Sequence, residues 1–524
     1  MPLTTQGVVP PPPLSTGARA VLLLLAAGLV FLLLAACMAR VVTYDEDQYL
    51  AAGLMVAQGK LPYRDFVYLQ APLYPFVLGA VFKVAGGYYL LAGRLLTFVL
   101  AVVSAAVLWR LLRRLGAGHT LAAVLLAACL ASPFLASPWS NTRNDALPLC
   151  LFLLGLWCKL AAGDREDRGG FVLRFAAALL LGLAAEAKVS YVFGPAVLLV
   201  HACFAPRRRL LPAVLGVAVA AVPAVLLLGA AGLEPMRFGL LDFHLTASPD
   251  WYRQQGLDAQ LEAPVRLQML LGWLVLGGNL TLLALSVTLM LLTVARKRNW
   301  KRPGQLLVAL LAGAAVADFL PSPSWAMYFA VVAPLLACCI AHLDRITTHL
   351  ADPARKRVLV LVSALPVVPV LLLLGPDVAR FVRGDWAGLG AHRTAVAVRA
   401  ALPGGGPVAT LFPHLVMDAN PLLVPFVSGP FVFRSGGLYS PELLGRLHAA
   451  SPGTLEAVLG REKPAGIFAG AYGTAFRAPM DAALTEYAEA RGWRLVLTDP
   501  GGGRLWIDPA YGAGRPDVIP RAPN

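Results

Sequence analysis

Runs of about 18 or more apolar residues recur through most of this chain, and that repetition limits its fold more than any other feature. Each run is long enough to cross a hydrocarbon core as a helix. They lie near residues 20–39, 88–109, 119–137, 146–162, 171–186, 189–205, 210–231, 267–295, 304–320, 325–343 and 357–376. Composition agrees, with 58% hydrophobic and 14% charged residues and a mean hydropathy of +0.69. A soluble domain of 524 residues needs more polar surface. The expected fold class is an all-α polytopic membrane protein with about 11 transmembrane helices.

A net charge of +15 invites a nucleic-acid reading, but its placement excludes one. Segments 110–114, 159–174, 207–209, 296–302 and 344–357 hold 19 basic and five acidic residues, a surplus of 14. All lie between apolar runs, so by the positive-inside rule they mark cytoplasmic loops. The alternation then places the amino terminus in the cytoplasm and the carboxyl terminus on the exoplasmic side. Residues 1–19 read as a disordered cytoplasmic tail, and 20–376 as the transmembrane domain. The seven cysteines sit in or beside apolar runs, which suggests neither a disulfide framework nor a metal site. Leu34-Ala35-Ala36-Cys37 has the form of a lipoprotein processing box, but a Cys closing a helix is the simpler reading.

Residues 377–524 carry 14 basic and 12 acidic residues. Helical pattern near 387–402, 441–450 and 479–491 alternates with strand-like runs at 408, 465, 494 and 504, punctuated by Gly triplets at 404 and 501. This predicts a small exoplasmic α/β domain. Two further exoplasmic segments are the loops 41–87 and 232–266. The first holds two short helical patterns suited to the interface, Asp47 to Gln58 and 76–87.

That first loop opens with three consecutive acids, Asp45, Glu46 and Asp47. Ionisable groups inside spans are costly, on the order of 2.5–3.5 kcal/mol at mid-bilayer, and mark functional sites by default. Within or at the edges of the spans such groups are Arg94, Asp145, Glu186, Lys188 and Asp318, with Arg143 just outside, all toward the exoplasmic ends. One polar cavity can collect them with the acids. Each also has a plainer reading. Arg94 can pair with a carbonyl, Asp145 can cap the helix that follows it, Glu186 and Lys188 can face water at a turn, and Asp47 can start the first interfacial helix.

The order of motifs resembles the glycosyltransferase C superfamily, in its branch of protein O-mannosyltransferases and the lipid A aminoarabinose transferase. The match is Asp45-Glu46, Tyr49, Gly59, Pro62-Tyr63-Arg64-Asp65 and Pro72-Leu73-Tyr74-Pro75, then Arg94, Asn144-Asp145, Lys188 with Pro195, and 321–337 with Tyr328 and Pro334. It covers about residues 20–376. One departure is Met327, where many relatives have His before the Tyr.

The resemblance implies a membrane glycosyltransferase that moves a sugar from a polyprenyl-phosphate donor to a lipid, glycan or protein acceptor outside the membrane, with inversion. The departing phosphate needs cations, not an acid, unlike an ordinary glycoside. Arg94, Arg143 and Lys188 are the candidates. The acceptor hydroxyl needs a base, for which Asp45 is chosen with Glu46 supporting it. Tyr49, Arg64, Asp145 and Tyr328 complete the expected substrate contacts. No cofactor is required, although three adjacent acids leave a divalent cation open. Placement and composition point to a plasma (inner) membrane. The rival classes are a flippase or transporter of a lipid-linked sugar and a non-catalytic scaffold displaying the tail. Transport yields no covalent product.

Overall fold

The computed structural model describes residues 15–204, 206–295, 302–347, 367–402, 404–471 and 480–511. Most of the expected cytoplasmic tail, the basic loop 296–301 and the first part of the last expected span lie outside the described residues. The bundle is built from α1 (Thr16–Ala39), α2 (Tyr44–Ala57), α3 (Leu73–Ala85), α4 (Tyr89–Leu115), α5 (His119–Leu130), α6 (Ala146–Ala162), α7 (Arg168–Ala187), α8 (Phe193–Cys203), α9 (Arg207–Ala220) and α10 (Val222–Ala231). It continues with α11 (Ala263–Leu274), α12 (Gly278–Ala295), α13 (Arg302–Phe319), α14 (Val332–Thr347) and α15 (Val367–Val382).

Among the described residues, five helical stretches are long and apolar enough to cross a membrane, and a bent pair makes six. Five shorter apolar helices accompany them. Two expected spans are therefore corrected. The run 119–137 stops as a helix at Leu130, where Pro133 prevents continuation and the Ser132 hydroxyl accepts from the Phe134 amide to start a short turn. The run 267–295 bends by 87° between α11 and α12. The Gly278 amide donates to the Ala131 carbonyl at 2.9 Å, and a Cβ on Gly278 would lie 1.7 Å from the Ala128 oxygen. Only glycine admits that approach. The Asn279 side chain then donates to the Trp273 carbonyl at 2.9 Å, satisfying a group the break frees.

Small residues let neighbouring helices close. Gly155 of α6 and Gly182 and Gly216 of α7 and α9 leave no room for a further carbon against the facing helix. The two ends of the bundle differ. At one end Arg114 reaches the Leu160 carbonyl, and Arg209 pairs with Asp164 and Glu166. At the other, the Tyr89 amide donates to Asp418 of the tail at 2.8 Å. The basic segments that are described thus gather opposite the tail.

The tail folds as a four-stranded sheet of β1 (Val408–Ala409), β2 (Gly466–Ala469), β3 (Arg494–Thr498) and β4 (Arg504–Ile507), in the order β1-β2-β4-β3. β1 and β2 are parallel; β4 runs antiparallel to both its neighbours. The strand period of two divides the core. Ile467, Ala469 and Trp506 pack on helices 455–462 and 482–490, while Phe468, Leu505 and Ile507 pack on helix 387–401. The segments 413–415 and 430–435 leave this core to meet α2 and the loop after α10.

Candidate active site

The first turn of α2 decides the site. Thr43 precedes it in an extended conformation, and Glu46 reaches back to the Thr43 amide at 3.2 Å. The helix therefore starts at Tyr44, not at Asp47. Successive side chains on a helix diverge by about 100°, so the three acids face three different parts of the protein.

Glu46 points into the bundle and is fully buried with Arg94. Arg94 Nε and Nη2 donate to its two oxygens at 2.8 and 2.7 Å, and Nη1 donates to the Cys37 and Arg40 carbonyls. The Glu46 carboxylate also accepts from the Thr142 amide and the Asn141 side chain. Both groups are saturated by protein. This corrects two expectations: Glu46 does not reach the cavity to support a base, and Arg94 presents no donor to a phosphate.

Asp45 points the other way, into a cavity of about 850 Å³. Its carboxylate pairs with Arg143, whose Nε donates to Asp145 at 3.0 Å. Asp145 in turn accepts from Lys188. Asp145 is fully buried behind the cavity wall and makes no capping bond to α6. Burial would raise its pKa, yet Lys188 and Arg143 hold it below the usual carboxylate range. It pairs with both Arg143 and Lys188 and does not itself line the cavity, so it is not among the cavity-facing residues expected to touch substrate. Asp45, Arg143 and Lys188 all line the cavity, as do Tyr49, Met327 and Tyr328. Lys188 Nζ stands 5.0 Å from the Tyr328 ring centroid.

Asp47 points to the tail, where His414 holds it. Other expected residues lie elsewhere. Arg64 is exposed and pairs with Asp65 in the turn closed by the Tyr63 amide on the Phe66 carbonyl. That turn keeps Tyr63 at a positive φ of 65° while its hydroxyl donates to the Gln70 carbonyl. The Pro-Tyr-Arg-Asp motif thus lies outside the cavity lining. Glu186 and Asp318 do not line it either. The three acids diverge, and among the described residues no cluster of three His, Cys, Asp or Glu side chains is arranged to hold a metal ion.

Several cavity residues escaped the sequence reading. Phe431 and Arg434 come from the tail, and Arg434 lies 3.8 Å over the Trp251 ring. His244 lies on a π-helical segment, Phe238–Ala247, and contacts the Leu69 carbonyl at 2.6 Å. π-helical turns frequently mark functional sites. The segment reaches this position because Gly239 packs its backbone on the Tyr68 carbonyl, where a Cβ would lie 2.0 Å away. The one available signal for the tail residues was the aromatic run Phe431-Val432-Phe433-Arg434 in an otherwise mixed segment.

Comparison with known proteins converges on the same architecture. The family model described as dolichyl-phosphate-mannose-protein mannosyltransferase matches residues 69–229. No curated protein matches the sequence significantly. The crystal structure of ArnT from Cupriavidus metallidurans bound to undecaprenyl phosphate is similar with a TM-score of 0.62 at 16% identity, covering 95% of this chain and 99% of that one. Archaeal oligosaccharyltransferase AglB from Archaeoglobus fulgidus, in complex with an inhibitory peptide and a dolichol-phosphate, is similar with a TM-score of 0.53 at 12% identity, covering 87% of this chain and 70% of that one. The chain shares its overall fold with both solved structures, as the motif order implied.

Proposed function

We propose that the chain is a polyprenyl-phosphate-dependent membrane glycosyltransferase, acting outside the membrane with inversion and with Asp45 as general base. One observation carries this reading. Among the described residues lining the cavity, Asp45 is the sole carboxylate, and Arg143 and Lys188 line it too. A base and a phosphate-binding pair within one concave site suit the transfer of a sugar from a phosphate to a hydroxyl.

The rim supports the class of donor. Val189, Val192, Leu241, Leu245 and Leu320 line the cavity and are exposed. An apolar mouth of this kind accepts an isoprenoid chain while its phosphate reaches the cations. The solved relatives carrying undecaprenyl phosphate and dolichol-phosphate supply the same chemistry. On this reading the phosphate competes with Asp45 for Arg143, while buried Asp145 keeps Arg143 and Lys188 in place. Asp45 is then open to the acceptor hydroxyl when donor is bound. The leaving phosphate departs with its charge met by the two cations.

The test is Asp45→Asn in purified full-length protein, with transfer followed by mass spectrometry of the product. The variant is expected to lose about 10²–10⁴-fold in turnover while retaining donor binding. Near wild-type turnover would falsify the assignment of the base. A covalent product from the wild-type protein separates transfer from transport.

A further inference from the structure

We infer that His414 is a positioning residue for Asp45, which makes the tail domain a working part of the transfer site. The inference rests on the reading of Asp45 as base. It starts from Asp47, which is fully buried two residues beyond Asp45. One Asp47 oxygen, Oδ1, accepts from His414 Nδ1 at 2.6 Å and from the His414 backbone amide at 3.1 Å. The other oxygen has no hydrogen-bond partner among the described residues. Asp47 therefore depends on His414 for every hydrogen bond its carboxylate makes there.

The tail touches the same turn at two more points. Gly429, at a φ of 59°, faces the same turn: a Cβ added to it would lie 3.6 Å from the Asp47 Cβ. The Phe431 ring packs on Tyr44, with centroids 5.7 Å apart. Tyr44 and Asp47 bracket Asp45 in sequence, so the tail holds the turn on either side of the base.

Geometry makes this contact matter for direction. Asp45 and Asp47 lie about 200° apart around the helix axis, so His414 anchors α2 on the side opposite Arg143. Glu46 fixes a third direction through Arg94. Three anchors at three angles prevent the turn from rotating about its own axis. With the His414 ring removed, Asp47 keeps only the backbone amide bond, and the turn is held less firmly on the side opposite Arg143, which lets the Asp45 carboxylate shift. Burial pushes the Asp47 pKa up and His414 opposes that shift, which agrees with a bond that matters to the turn.

The experiment uses the full chain in lipid nanodiscs, comparing His414→Ala and His414→Gln for turnover, donor KM and thermal unfolding. Gln keeps a side-chain donor for Asp47. His414→Ala is expected to lose about 10²-fold in kcat, as a displacement of about 1 Å does, with donor KM close to wild type and a lowered unfolding temperature, because buried Asp47 loses its side-chain partner. His414→Gln is expected to recover most of that loss. Wild-type kcat in His414→Ala overturns the inference. So does a joint fall of kcat, donor affinity and unfolding temperature that Gln does not rescue, because that is the signature of a structural residue. Should His414→Ala not fold, Phe431→Ala carries the same expectation at about tenfold, and an unchanged kcat there overturns it equally. An active Asp45→Asn would remove the underlying reading instead. An inactive Asp45→Asn beside a fully active His414→Ala would remove this inference alone.

Discussion

Two ion pairs start one residue apart on the same helical turn and do different work. Glu46–Arg94 is closed: the two side chains are 0% and 1% exposed, and protein groups fill the remaining donor and acceptor positions. Asp45–Arg143 is open: Asp45 is 22% exposed toward a cavity, and Arg143 is shared with a second carboxylate. Charge and spacing are alike in the two. What separates them is whether water and a substrate can reach the pair. A closed pair holds helices in register, and an open one is available for chemistry. This is also why three acids in a row are not three copies of one function: helical divergence sends each to a different partner.

The contrast breaks most sharply when each acid loses its charge. Asp45→Asn is expected to remove turnover and leave the thermal unfolding of the detergent-solubilised protein unchanged. Glu46→Gln and Arg94→Ala are expected to do the reverse, lowering stability by about 3–5 kcal/mol, the typical result of leaving one member of a buried pair alone. Activity should then fall only in proportion to folded protein. A Glu46→Gln protein that folds normally yet does not turn over would return Glu46 to the chemistry.

Lys188→Ala sharpens the open side. Lys188 stands at the cavity and donates to buried Asp145. Removing it deletes a charge-assisted contact worth about 1.5–3 kcal/mol, so donor affinity is expected to fall roughly 10–100-fold with acceptor KM little changed. Equal losses for both substrates would mean that the residue does not hold the phosphate. Because Asp145 is held below the usual carboxylate range, the stability its pairs provide is present above that range. It should be lost only as pH falls through the lowered pKa.

Much of this was legible in the chain, for physical reasons. Apolar runs and basic loops report on the bilayer directly, so the bundle and the clustering of described basic segments followed from them. The tail strands at 466–469, 494–498 and 504–507 lay where hydrophobic runs met Gly punctuation. Asp45, Arg143 and Lys188 were legible as charged groups at span ends, and Tyr328 through the motif resemblance. Less legible was which charges would be satisfied by protein. Arg94 and Lys188 look alike in sequence, and only packing shows that Arg94 is closed over by Glu46 and two carbonyls. The break at Gly277-Gly278 and the docking of His414 on Asp47 join residues about 150 and 367 positions apart. No local pattern encodes such contacts.

The smallest expected effect lies at Arg64, and it tests the comparison from outside. The residue belongs to one of the motifs that carry the family resemblance, so sequence alone ranks it with Lys188. Its guanidinium is exposed, pairs with the adjacent Asp65, and does not line the cavity. Exposed pairs of this kind contribute about 0–1 kcal/mol. The turn it sits in is closed by backbone and by the Asp65 carboxylate accepting from the Leu61 amide at 2.7 Å, neither of which needs the Arg64 side chain. Arg64→Ala should therefore leave the unfolding temperature, donor KM and turnover near wild type. A selective rise in acceptor KM would show that the acceptor extends beyond the cavity onto this turn. The rule that exposure to the cavity separates chemical from architectural charges would then have to include the outer surface of the first loop.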